Sequence, residues 1–126
     1  MNFDWRSYLL LADELLKHQN PAISQEAYLR SAISRAYYSV FCIARNFLIR
    51  NSVIIPRVDT HKFVRERYLN SRHKLEREIG KGLRNLWRHR KDADYEDKAS
   101  FDVGRAATAY QLASRILSRL ASIGAL

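Results

Sequence analysis

Apolar residues recur at three- and four-residue spacing along most of this chain, and that periodicity predicts its elements. Trp5, Tyr8, Leu9, Ala12, Leu15 and Leu16 form one face of an amphipathic helix over about 3–18. Asn20-Pro21 then offers an N-cap and a pre-set first helical residue for a second helix. Leu29, Ile33, Ala36, Tyr37, Val40, Ala44, Phe47 and Leu48 carry the pattern on to about Arg50, a helix of roughly 28 residues. Asn51 to Asp59 holds β-branched residues and Pro56, but no partner strand is in view, so it reads as a loop.

Asp59 or Thr60 is placed to cap a third helix bearing Phe63, Val64, Tyr68 and Leu69, and Asn70-Ser71 marks a break. A fourth helix is predicted from about Lys74 to Arg90, with Gly80 and Gly82 each weakening it by about 1 kcal/mol relative to Ala. The acidic cluster Asp92, Asp94, Glu96 and Asp97 reads as a loop. Ser100 then caps a last helix whose apolar face is Ala106, Ala109, Tyr110, Ala113, Ile116, Leu117, Leu120 and Ile123. Strand alternation, repeats and linkers are missing. The expected fold is all-α: an up-and-down four-helix bundle with an additional short helix, residues 1–126 making one domain.

Composition sharpens this only slightly. The 126 residues, 47% hydrophobic with four Gly and two Pro, suffice for one core without disulfides or metal. A single cysteine, Cys42, points to a reducing compartment. The first residues, MNFDWRSYLL, lack the features of a signal peptide, and no apolar run reaches the ~18 residues of a membrane span. The expectation is a cytoplasmic protein with no membrane partner.

Charge changes the picture more. The net charge is +9, and residues 57–91 hold twelve Lys or Arg against four Asp or Glu. Such a balance favours polyanionic partners. Lys74, Arg77, Lys81, Arg84, Arg88 and Lys91 follow at steps of three and four, one helical face, with Leu75, Ile79, Leu83 and Leu86 opposite. Evenly spaced cations along about 25 Å of helix would track a phosphate backbone. The plainer alternative is a solvated face, although like charges at this spacing repel and only Glu76 and Glu78 lie nearby. Tyr28, Tyr37, Tyr38, Phe41 and Phe47 suit core packing; Trp87 borders the stripe and suits either core closure or base stacking.

Several chemistries find no residues. The glycines, at 80, 82, 104 and 124, form neither GxGxxG nor GxxxxGK. There is no Glu-x-x-His pair, no structural zinc set and no G-x-S-x-G elbow, so neither metal nor cofactor is expected. Metal-independent chemistry of Arg, His and Tyr remains: a base or proton shuttle, and a cation to stabilise a phosphorane.

SAISRAYYSVFCIARNFL (Ser31–Leu48) resembles the second-helix signature of HEPN domains, S-R-x-Y-Y-x-x-F-x-x-A-R, in their small stand-alone branch. Thr60-His61-Lys62 resembles that branch's T-H-K, and Arg90-Lys91-Asp92-Ala93-Asp94-Tyr95 its R-x-x-A-D-Y, in the expected order. The resemblance implies a four- or five-helix bundle, commonly a homodimer, often paired with a minimal nucleotidyltransferase in toxin–antitoxin or defence systems. Many such domains are metal-independent endoribonucleases whose R-x4-6-H motif lines a cleft at the dimer interface; others bind RNA or a partner without cutting. Here Tyr95 stands where that motif has its His. A literal R-x4-H begins at Arg84 and ends at His89, but Arg67 with His73, five residues between them, falls in the same allowed range. On this resemblance Arg90 would contact phosphate, Tyr95 would orient a 2′-OH, and His89 would shuttle a proton. His61 reads as a helix-start residue. Two functions are carried forward: an RNA-directed protein whose basic stripe leads into Arg90–Tyr95, and a non-catalytic module docking an acidic partner such as a nucleotidyltransferase.

Overall fold

The computed structural model describes residues 2–126, and helices are its only regular elements among them: α1 (Arg6–Lys17), α2 (Gln25–Arg50), α3 (Thr60–Leu69), α4 (Lys74–Tyr95) and α5 (Val103–Ser122). The long α2 is the central element and packs against α1, α3, α4 and α5. Its Leu29, Ile33, Ala36, Tyr37, Val40 and Ala44 are almost fully buried. Alanines at 106, 109 and 113, with Ile116 and Leu120, make the buried face of α5, while Ile79, Leu83 and Leu86 bury α4. The bundle with one short helix, α3, is the architecture the periodicity predicts. No helix of the described residues is long and apolar enough to cross a membrane.

Helix ends depart from expectation at three places, the first two through local caps and the last through a distant side chain. Asn20 turns its amide oxygen onto the Ala22 N–H (2.9 Å), and α2 starts later, capped by Ser24 through the Ala27 N–H. Asp102, not Ser100, caps α5 by accepting from the Arg105 N–H at 2.7 Å. The largest difference is at Asp92–Tyr95, helical rather than looped. Arg30 of α2 explains it. Its guanidinium donates to the carbonyls of Asp92, Ala93, Glu96 and Ala99 at 2.9–3.2 Å, and it lies 4.5 Å from the Phe101 ring centroid. α4 has no basic residue in its own last turn, so α2 supplies the cation that its carbonyl end requires.

Gly80 and Gly82 also have a different meaning in the fold. A Cβ on Gly80 would stand 2.6 Å from the Leu69 backbone nitrogen, and one on Gly82 2.7 Å from Ile116 Cγ1. These positions are glycine because α3 and α5 each press directly on the α4 backbone there. The close approach of α3 brings its first turns against α2 and α4, and that junction forms the cleft described next.

Candidate nucleic-acid interface

Three helices meet at this cleft. Tyr37, Tyr38, Phe41 and Arg45 project from one face of α2, His61, Lys62 and Arg65 from the first two turns of α3, and Trp87, Arg90 and Asp94 from one side of α4. The opening, about 610 Å³, is lined by Tyr38, Phe41, Arg45, His61, Lys62, Arg65 and Trp87, with Arg57 and Asp59 from the preceding loop. Asp59 enters α3 with a left-handed backbone (φ 54°), and Thr60 Oγ1 donates to the Pro56 carbonyl, so the loop is tied down beside the helix start.

His61 is the centre of the cleft floor. Its ring stacks on Phe41 at 4.1 Å and on Tyr37 at 5.6 Å, and its Nδ1 lies 2.7 Å from the Tyr37 hydroxyl. Burial pushes the imidazole pKa below its ordinary value, and the guanidinium groups of Arg90, Arg65 and Arg45 push it further down. The imidazole is thereby biased towards its neutral form, in which one ring nitrogen donates and the other accepts. Behind it, Arg90 is held in an inner layer. One terminal nitrogen donates to the Tyr38 hydroxyl at 2.6 Å, and Nε lies 2.8 Å from Asp94 Oδ2. That second contact is ionic, with no well-aligned hydrogen bond at Nε. Ser34 Oγ donates to the same carboxylate oxygen at 3.3 Å. Burial raises the Tyr38 phenol above its ordinary value despite the adjacent Arg90.

The cleft is electropositive and uncompensated. Arg45, Arg57, Lys62 and Arg65 surround it, Asp59 is the one carboxylate in its lining, and none of the four cations forms an ion pair among the described residues. Cations gathered in a concave site with no partner raise the local concentration of anions.

The residues expected from sequence do not all converge here. Arg90 and Tyr95 are together, the Arg90 guanidinium lying 5.4 Å from the Tyr95 ring, which is 71% exposed at the end of α4. His89 faces α5 instead, accepting at Nδ1 from Arg105 Nε at 3.1 Å. Burial and the Arg105 charge push its pKa down, against the opposing pull of Asp92. The stripe is on the outer surface, with Lys74, Lys81, Arg84, Arg88 and Lys91 exposed and Arg77 donating to the Ser71 carbonyl. At 100° per residue, the stripe's mean direction is roughly 150° round α4 from Arg90, so it does not lead into that side chain. Arg84 shares neither a contact nor a helix face with Arg90. Of the cleft residues, Tyr38 reads from sequence as core packing and His61 as a helix start, and Arg57 and Arg65 carry no signal there. The second-helix signature marks Tyr38, Phe41 and Arg45, and T-H-K marks His61 and Lys62, without disclosing that the two meet.

Among the described residues no group of three His, Cys, Asp or Glu is placed to hold a metal ion. Neither the curated proteins nor the solved structures returned a match to the chain. A family model described as HEPN domain does match, over residues 5–123 of 126. HEPN domains are helical bundles that often dimerise and act on RNA. From α1 to the end of α5, this chain belongs to the HEPN domain family.

Proposed function

We propose that this chain is a cytoplasmic, RNA-directed HEPN protein that binds RNA through the α2–α3–α4 cleft and works as a homodimer in a toxin–antitoxin or defence setting. The observation that carries the reading is the set Arg45, Arg57, Lys62 and Arg65, unpaired around a concave site floored by His61 and Tyr38. Phosphates supply the missing charge, and displaced counterions supply much of the affinity. Strand outside the cleft continues onto the stripe, Lys74 to Lys91.

Binding is better supported than cutting. Arg90 is occupied by Tyr38 and Asp94, His89 is turned to α5, and the Tyr95 ring is exposed to solvent at the end of α4. Labelled RNA incubated in EDTA distinguishes the outcomes. Salt-sensitive retention of intact RNA is expected, weakened by Arg45→Gln with Lys62→Gln. Metal-independent cleavage that disappears with Arg90→Ala would make the protein an endoribonuclease, and no binding at low salt would sink the RNA reading.

One observation favours the second reading, docking of an acidic partner such as a nucleotidyltransferase: the stripe meets the cleft only at its Lys91 end, and its mean direction is roughly 150° round α4 from Arg90. Charge reversal at Lys81, Arg84 and Arg88 that abolishes partner binding while leaving RNA binding intact would assign it to the protein partner.

A further inference from the structure

Trp87 stands at the rim where the cleft meets the outer stripe. It lines the cleft, is only partly buried, and leans on the hydrophobic core from its edge. Two cations lie against its ring: the Arg65 guanidinium carbon 4.5 Å from the centroid and Lys91 Nζ 5.3 Å from it. Neither cation is held by a carboxylate among the described residues. Cation–π attraction contributes only about 0.5–1 kcal/mol for each contact at an exposed ring, and it leaves both cations without a counter-charge. An aromatic face flanked by unpaired cations does match a ligand that brings a flat ring and a phosphate together.

We propose that Trp87, with Arg65 and Lys91, is a stacking platform for an unpaired nucleobase, making the cleft selective for single-stranded over duplex RNA. This rests on the RNA reading above and deepens it. A base enters by stacking on the guanidinium–indole pair or by replacing one cation on the ring; the displaced cation then meets the adjoining phosphate. In a duplex the bases are already stacked and paired, so they offer this platform nothing, and only phosphate contacts remain.

Three probes separate charge from stacking: a short single-stranded oligoribonucleotide, a duplex of equal length, and inorganic polyphosphate. Trp5 and Trp87 are the two tryptophans, so Trp5→Phe leaves Trp87 as the sole indole reporter. The single strand should quench its emission while polyphosphate binds without quenching. Trp87→Leu, which keeps the apolar fill, should weaken single-strand binding by about tenfold and leave polyphosphate binding unchanged. Arg65→Lys, which keeps the charge but not the flat guanidinium, should show the same selective loss. Circular dichroism of each variant establishes that the helices are intact. Equal losses for single strand and polyphosphate, or equal affinity for single strand and duplex without quenching, would overturn the platform and leave the polyanion cleft standing. Binding of none of the three probes would overturn both.

Discussion

Replacing Gly80 by alanine opposes two effects whose sizes the structure separates. In an isolated helix the change stabilises by about 1 kcal/mol, because glycine surrenders more backbone freedom on folding. In this bundle the new methyl group would stand 2.6 Å from the Leu69 nitrogen, 2.9 Å from Leu69 Cγ and 3.0 Å from Leu69 Cα. Two of those atoms are backbone, and no rotamer change moves them. Ordinary contact between heavy atoms begins near 3.5 Å, so α3 must retreat by about 1 Å. Overpacking of this kind costs about 1–3 kcal/mol, and an immovable backbone places it at the upper end. The expected net effect is a loss of about 2 kcal/mol, or roughly 8 °C in melting temperature for a chain this long. Because α3 carries His61 and Arg65, RNA binding should weaken as well. Gly104→Ala is the internal control. Its Cβ would meet only Asp102 Oδ1, at 3.4 Å, so stability should stay level or rise by up to about 1 kcal/mol. Urea unfolding followed by far-ultraviolet circular dichroism reads both variants. If Gly80→Ala proves as stable as the parent, the direct packing of α3 on α4 is wrong.

Three further outcomes are expected. Arg30→Met should cost about 2–4 kcal/mol, because it strips a charged donor from four carbonyls; hydrogen exchange should accelerate first at Asp92–Ala99, and uniform acceleration would speak against a local clamp. Folded His61 and His89 hold protons less tightly than the ordinary 6.5, so the unfolded chain binds more protons below that pH. Their contribution to stability is complete above about pH 6.5 and is lost as pH falls through the folded values; urea titrations should show the decline, shallower in His61→Gln, and an unchanged slope in that variant would remove His61 from the account. Asp94→Asn frees Arg90 from its carboxylate, and removing one nearby negative charge, worth about 1 kcal/mol, should tighten RNA binding about fivefold. Weaker binding would make Asp94 a positioning residue that the cleft requires.

How far the sequence could be read follows from the range of the interactions involved. The buried face of α2 was plain because its periodicity lies within one helix, and the α3 break at Asn70-Ser71 because it is local. The helical state of Asp92–Tyr95 was hidden because Arg30, more than sixty positions away, holds its carbonyls. Without that partner, four clustered acids do read as a loop. Gly80 and Gly82 looked like weaknesses because propensity knows nothing of Leu69 or Ile116. The stripe lies on one face of α4 as its spacing predicts, and the same 100° step per residue already sets Arg90 roughly 150° away from it, a relation masked by ending that helix at Arg90. His61 shows the same limit. Its stacking on Phe41 and its bond to Tyr37 arise where α3 crosses α2, a junction that no spacing within either helix discloses.

The central claim is that the cations of the cleft, rather than charge spread over the surface, engage RNA phosphates. The salt dependence of single-stranded RNA binding tests it most directly, comparing the parent with Arg45→Gln/Lys62→Gln. Each phosphate contact removed should reduce the slope of log affinity against log salt by about 0.7, so the double variant should lose about 1.4. A parent-like slope and affinity in that variant, with binding lost instead on neutralising Lys81, Arg84 and Arg88, would contradict the claim and move the RNA to the outer face of α4.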